Sequence, residues 1–206
     1  MSHRIITIGR QHGSGGHEIG RRLAGKLGIP FFDKERIAIY ANEKGLSDKL
    51  FATIDEPVTT SFLYSLAMNT FSSSSMMSNL TDITLNDQAF QLQASVTRHL
   101  AGEGPCVIVG RCADDILSEG FRCFNVFVHA DLPFRVGRVV NIYGLPPEDV
   151  ESTIAKVDKK RANYYNYCSG RRWSDATNYH LTLNSATFGI DGSVELIRQY
   201  LELAKI

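Results

Sequence analysis

This sequence predicts an α/β domain built on a central five-stranded parallel sheet with helices on both faces, and three observations carry that expectation. Short, continuous apolar runs alternate with amphipathic helical stretches along the chain, the pattern of strand–helix–strand units. The runs are apolar throughout rather than at alternate positions, as in strands buried on both faces. A glycine-rich turn joins the first run to the first helical stretch. At 206 residues the chain is long enough for one domain with a full core, and residues 1–206 are read as one.

The elements follow in order. Arg4 to Gly9 (RIITIG) is a strand ending in glycine, and His17 to Gly28 is a helix with Ile19, Leu23, Ala24 and Leu27 at helical spacing, closed by Gly28 as its cap. Ile29 to Phe32 is a second strand stopped by Asp33, and a helix runs from Lys34 to about Lys44. Ser47 to Met68 is mostly helical, interrupted at Pro57. Phe71 to Thr81 has five serines and no charge, the composition of a loop. Asn86 to Glu103 is helical again, and Cys106 to Val109 is the third strand. A short helix over Cys112–Ser118 leads to a fourth strand, Cys123–Val128. Asp131 is placed to cap a helix ending near Ile142, with Pro133 tolerated in its first turn. After Pro146-Pro147 come a basic helix (Glu148 to about Tyr165) and a polar loop (Cys168–Asn178). A fifth strand (Tyr179–Leu183) and an amphipathic helix (Gly189–Ala204) complete the order.

Bulk properties exclude several function classes. Lys plus Arg and Asp plus Glu are each 22, so the formal charge is zero, without the basic excess of a nucleic-acid binder. No apolar run approaches the length of a membrane span and no signal-peptide core is present. Cys106, Cys112, Cys123 and Cys168 lack zinc-type spacing and read as small buried hydrophobes in a reducing, cytoplasmic setting. His12 and His17 have no third companion that would suggest a metal.

Ligands of parallel sheets bind beyond the carboxyl ends of the strands. Gly9–Gly16, Asp33, Gly110-Arg111, Asp131 and Asn184 lie at such ends. In the turn Gln11-His12-Gly13-Ser14-Gly15-Gly16-His17, the glycines free the backbone to approach a ligand and to present successive N–H groups to an anion. Against the pattern G-x-x-x-x-G-K-[ST], Gly15 fits the second glycine, Arg10 stands at the first, Gly16 at the lysine and His17 at the hydroxyl residue. The cation that reaches the β- and γ-phosphates is therefore missing, and Arg10 or a basic residue from elsewhere must supply it. A dinucleotide reading competes through Gly13-Ser14-Gly15 and Asp33, but Glu18 occupies its third glycine position.

The run from Ile6 to Ile37, with Val109-Gly110-Arg111, Val126 to Arg138 and Asp158 to Tyr165, closely resembles the bacterial cytidylate kinase-like family, P-loop proteins grouped with the nucleoside monophosphate kinases. The resemblance implies a P-loop NTPase fold with a helical monophosphate-binding insertion over 34–104 and a lid over 144–177. It implies transfer of the γ-phosphoryl group of ATP, with Mg2+, to a pyrimidine nucleoside monophosphate, CMP or dCMP first. Gly110-Arg111 matches the start of a substrate-contacting Gly-Arg-Asp segment, with Cys112 in place of the acid. Arg135 and Arg138 match an Arg-x-x-Arg of phosphate-side cations, and Asp158, Lys160 and Arg161 fall in the lid, with Arg171 and Arg172 just beyond. His180 and Asn184-Ser185 depart from the family's acid and Asp-Thr positions.

The catalytic candidates are thus Arg10, Arg138, Lys160 and Arg161, and the monophosphate-binding candidates are Asp33, Arg111, Arg135, Asp158 and Arg171. Arginine suits this work because its planar donors meet phosphate oxygens in pairs. Tyr164, Tyr165 and Tyr167 read as lid packing before base stacking. Phe62, Leu63, Leu66, Met68 and Phe71 are core, or a surface for a nucleoside or for a second subunit in a homodimer; the sequence does not choose. Two other functional readings stay open: a nucleotide-binding module without kinase chemistry, and a kinase of another small phospho-acceptor.

Overall fold

The computed structural model describes residues 5–43 and 81–205. The helical reading over Ser47–Met68, the loop reading over Phe71–Thr81 up to residue 80, and the apolar group from Phe62 to Phe71 lie outside the described residues, while Thr81 is helical rather than loop. The chain order is β1 (Ile5–Arg10), α1 (Gly16–Leu27), β2 (Phe31–Phe32), α2 (Lys34–Glu43), α3 (Thr81–Glu103), β3 (Cys106–Val109) and α4 (Ala113–Ile116). It continues with β4 (Cys123–His129), α5 (Leu132–Tyr143), α6 (Pro147–Ser169), a 3-10 turn (Ala176–Asn178), β5 (Leu181–Asn184) and α7 (Ser185–Leu203). The five strands form one parallel sheet in the order β2-β3-β1-β4-β5, so the expected α/β architecture is present.

The sheet is buried because its strands are apolar on both faces. Ile5, Cys106 and Ile108 point to one side, against Ile37 of α2, Leu92, Val96 and Leu100 of α3, and Leu117. Ile6, Ile8, Val107 and Val126 point to the other, against Leu23 of α1 and Ile197 and Leu201 of α7. This is the period-two alternation of a strand serving two cores at once. Thr7, buried in β1, satisfies its hydroxyl by donating to Asn125 Oδ1 at 2.8 Å. A third, smaller core of Val139, Val150 and Ile154 joins α5 to α6.

Several boundaries differ from the sequence expectations. β1 runs one residue past Gly9 to Arg10, because Arg10 continues the ladder opposite Val128. α3 begins at Thr81, five residues before Asn86. The short helix is confined to Ala113–Ile116, since Cys112 takes a left-handed conformation (φ 53°). Asp131 stands at the N-cap of α5 without a side-chain cap bond, its carboxylate facing Asn184 Nδ2 at 3.3 Å instead. α6 begins at Pro147, a residue preset for a first helical turn, and continues four residues beyond Tyr165, to Ser169. β5 is shifted to Leu181–Asn184, and α7 starts directly at Ser185 with a break at Gly189 (φ 64°). Among the described residues, no helix is long and apolar enough to cross a membrane.

α1 packs on the sheet through Gly20, where an added Cβ would lie 2.8 Å from Val109 Cγ2 and 3.1 Å from Ile8 Cδ1. Gly25 on the same helix faces open space. Gly20→Ala is therefore expected to destabilise by about 1–2 kcal/mol, the overpacking outweighing the gain in helix propensity. Gly25→Ala is expected to stabilise by about 0.5–1 kcal/mol. Urea denaturation of the two variants checks this, and the same sign for both would contradict it.

Candidate functional site

β1 delivers the glycine turn to the carboxyl edge of the sheet, beside β3 and β4. Gly13 (φ 78°) and Gly15 (φ 79°) are left-handed, a conformation open to glycine at little cost. Their bareness also admits neighbours: a Cβ on Gly13 would lie 2.8 Å from the Arg135 carbonyl oxygen, and one on Gly15 would meet Ile190 Cδ1 and lie 3.3 Å from Arg138 Cζ. The Ser14 hydroxyl donates to Gln11 O at 2.8 Å, and Gln11 Oε1 accepts from the Ala130 N–H at 3.2 Å. The Ser185 hydroxyl, fully buried, donates to Ser14 O at 2.6 Å. α1 then starts at Gly16 with Gly15 as N-cap and no capping side chain, leaving first-turn N–H groups and the positive helix end for an anion.

Cations converge on this turn. Burial and the neighbouring charges of Arg161 and Arg111 push Arg10 well below the ordinary arginine range, with Asp33 and Tyr143 opposing. Burial also lowers Arg161, against Asp158 and Tyr143, and lowers Arg111, against Tyr164. Lys34 is lowered by burial and then by Arg111. His12, whose ring stacks on Tyr143 at 5.7 Å, is lowered by burial and by Arg161, Arg10 and Arg135, with Asp158 opposing. Arginine keeps its proton at neutral pH, so Arg10, Arg111 and Arg161 bring positive charge to the turn, which suits phosphate.

Arg111 reaches this pocket from a turn of three successive left-handed residues, Gly110 (φ 82°), Arg111 (φ 61°) and Cys112 (φ 53°). Two non-glycine residues in that region are strained. The turn is held by Gly110 N–H donating to Ile8 O at 3.0 Å and by Gln93 Nε2 donating to Arg111 O at 2.9 Å. The Tyr164 hydroxyl, 3.4 Å from Gln93 Oε1, also bonds the Arg111 side chain.

Helix α6 closes on the turn. Asp158 accepts from the His12 N–H at 2.7 Å and from Arg135 Nη1 at 2.6 Å, and Arg161 Nη1 donates to Arg10 O at 2.9 Å. Arg138 pairs with Glu18 at 2.8 Å, beside Gly15, and holds that carboxyl below its usual range. Asp33 caps α2 through Arg36 N–H at 2.9 Å and pairs with His17 Nε2 at 2.9 Å. Burial works to raise the Asp33 carboxyl, but these bonds hold it below its ordinary value.

The structure thus brings together Arg10, Arg111, Arg161, Arg135, Asp158 and the turn. It does not bring in Arg171, whose guanidinium pairs with Asp115 at 2.8 Å and lies 3.7 Å from Asp114, over the Tyr165 ring. Lys160, half-buried on α6, has no ion-pair partner among the described residues. Tyr165 is buried with its hydroxyl on Asp114 at 2.7 Å, and Tyr164 meets Phe90, whereas Tyr167 is exposed. His180 is spent on the sheet edge, its Nδ1 accepting from Asn125 N–H at 3.0 Å, and Asn184 caps α7.

Sequence reasoning missed Lys34, Gln93 and Tyr143, and named Ser185 only as a departure from the family's Asp-Thr pair. Lys34 directly follows Asp33 at a strand end and could have been found by that rule; Gln93 and Tyr143 sit in helices with nothing local to single them out. His17 offers magnesium no hydroxyl at the position where P-loop proteins place one, and Asp33 engages its imidazole. Among the described residues, no group of three or more His, Cys, Asp or Glu is arranged to hold a metal ion.

Removing the Asp158 carboxylate would leave Arg135, 12% exposed, without its anion and the His12 N–H without its acceptor. Asp158→Ala is expected to cost about 2–3 kcal/mol of stability, as for hydrogen bonds to charged groups. Chemical denaturation checks this; a loss below about 0.5 kcal/mol would show that α6 is held by its apolar contacts alone.

The model of the cytidylate kinase-like family matches residues 5–187, and the chain belongs to that family. Among solved structures it is similar to an uncharacterized protein from Eubacterium ventriosum (23% identity, TM-score 0.70, covering 97% of this chain and 98% of the other). It also resembles the shikimate kinase of Bacteroides thetaiotaomicron (17% identity, TM-score 0.54, 98% and 99% covered). A third similar structure is the shikimate kinase of Acinetobacter baumannii in complex with shikimate (15% identity, TM-score 0.54, 100% and 96% covered). Among curated proteins, none matches this chain. The P-loop kinase fold is therefore established, and family and fold together support a phosphotransferase of the nucleotide-kinase class.

Proposed function

We propose that this member of the cytidylate kinase-like family transfers the γ-phosphoryl group of ATP to a pyrimidine nucleoside monophosphate, CMP or dCMP first. The observation that supports it most is the convergence of three arginines without carboxylate ion pairs among the described residues: Arg10 lies against Gly110, Arg161 donates to the Arg10 carbonyl, and Arg111 follows Gly110 at the end of β3. Phosphoryl transfer asks a protein mainly for alignment and for cations around the transferred group. An oxygen of the acceptor phosphate bonds to the γ-phosphorus as the bond to the β–γ bridging oxygen breaks, and ADP leaves.

In this reading the turn Gly13–Gly16 holds the donor phosphates through backbone N–H groups, and Arg111 and Lys34 face the acceptor phosphate. The lid corresponds to α6, whose Arg161 and Asp158 already lie against the turn and exclude water that would otherwise hydrolyse ATP. Magnesium would come with ATP and supply charge neutralisation at the donor phosphates. A cytoplasmic location follows for an enzyme that uses ATP as donor.

A second reading, a kinase of another small phospho-acceptor, is favoured by one observation. Cys112, in place of the family's acid, turns its thiol to Cys168 and offers no carboxylate to a ribose or base. A coupled assay with Mg-ATP and CMP, dCMP and UMP decides between these readings when small hydroxy-acid acceptors such as shikimate are added to the panel. CMP or dCMP is expected to give the highest kcat/KM, and Arg111→Ala is expected to lower it about 10²–10³-fold. Well-folded protein that phosphorylates no nucleoside monophosphate would refute the proposal; nucleotide binding by calorimetry without transfer to any acceptor would identify a binding module instead.

A further inference from the structure

In P-loops the lysine follows the last glycine, at the position of Gly16 here. That position is closed to a side chain. A Cβ on Gly16 would lie 2.5 Å from Arg10 Cβ and 3.0 Å from its Cγ, so the stem of Arg10 fills the volume such a side chain would enter. The stem leads towards β3, where a Cβ on Gly110 would collide with Arg10 Nη1 and lie 3.0 Å from its Cζ. Two glycines, one opening α1 and one just after β3, therefore bound the course of one arginine. Its guanidinium makes no ion pair among the described residues, although Arg111 and Arg161 stand near enough to repel it.

We infer that Arg10 replaces the P-loop lysine, with its stem lying over Gly16 and its guanidinium set between the phosphate turn and Gly110-Arg111, where it bridges donor and acceptor phosphates. Lysine is a point charge on a flexible stem, whereas the planar guanidinium carries five donors and engages oxygens of two phosphoryl groups together. The exchange is reciprocal. A side chain at 16 has no room beside Arg10, and without Arg10 the turn has no cation of its own. Gly110 belongs to the same arrangement, because any Cβ there would meet the guanidinium. The acceptor half of the inference rests on the kinase reading above; the donor half requires only that the turn binds a nucleoside triphosphate.

The test measures Mg-ATP affinity by calorimetry for the wild-type chain, Arg10→Met, Arg10→Ala, Gly16→Lys and the double variant Arg10→Ala/Gly16→Lys, with thermal denaturation to confirm folding. Arg10→Met keeps the stem and removes the charge, and is expected to weaken ATP binding about ten- to hundredfold, the worth of a charge-assisted hydrogen bond. Gly16→Lys alone is expected to lower both affinity and Tm through collision with the Arg10 stem. The double variant is expected to regain ATP affinity over Arg10→Ala while transfer to a monophosphate stays low, since a lysine at 16 does not reach Gly110. Unchanged ATP affinity in Arg10→Met, or a double variant no tighter than Arg10→Ala, would overturn the inference, as would a wild-type chain that binds no ATP. Should Arg10→Met lose ATP affinity while the wild type phosphorylates no monophosphate, the kinase reading falls and the donor role of Arg10 stands.

Discussion

Like charges held close together and away from water repel, and a fold that assembles them must hold them by other means. Arg10, Arg111 and Arg161 meet where β1 and β3 end, each lowered chiefly by burial. Much of the surrounding structure serves to keep them there. Arg10 is carried by the central strand, laddered to β4. Arg111 is fixed by a left-handed turn tied to Ile8 and Gln93. Arg161 is anchored on the carbonyl of Arg10 itself. A site preorganised in this way does not have to rearrange its dipoles when an anion arrives, which is the main source of electrostatic stabilisation in phosphoryl transfer.

The carboxylates are distributed to match. Asp158 neutralises Arg135 and takes one N–H of the turn, Glu18 takes Arg138, and Asp115 with Asp114 takes Arg171. No carboxylate forms an ion pair with Arg10, Arg111 or Arg161 among the described residues. The chain, neutral overall, thus separates its charge locally: some arginines brace helices α5 and α6 and the turn after α6, and others stay available to an anionic ligand. Tyr165, bonded to Asp114, and Ser185, bonded to Ser14, belong to the bracing.

Legibility in the sequence followed the range of the interactions. Strands β1, β3 and β4 and helix α1 were readable because continuous apolar runs, helical spacing and a terminal glycine are local signals. The start of α3 and the shift of β5 were not, because both stretches mix polar with apolar residues and carry weak local propensities. At the site, Arg111 and Asp33 stood out by following strand ends directly. Arg171 carries the same residue type in the same basic stretch, yet its partners are carboxylates on α4, far from it in sequence.

The sequence by itself determined the parallel α/β architecture, the phosphate-binding turn and the absence of a lysine from it, since each is written in short-range pattern and residue identity. Only the tertiary structure decided which side chain crowds Gly16 and Gly110 and which arginines have carboxylate partners among the described residues. Both depend on contacts between Arg10 and Gly16, Arg10 and Gly110, Arg135 and Asp158, and Arg171 and Asp115. Those contacts arise when the crossovers of a parallel sheet bring distant strand ends to one edge, a juxtaposition that no local window of sequence contains.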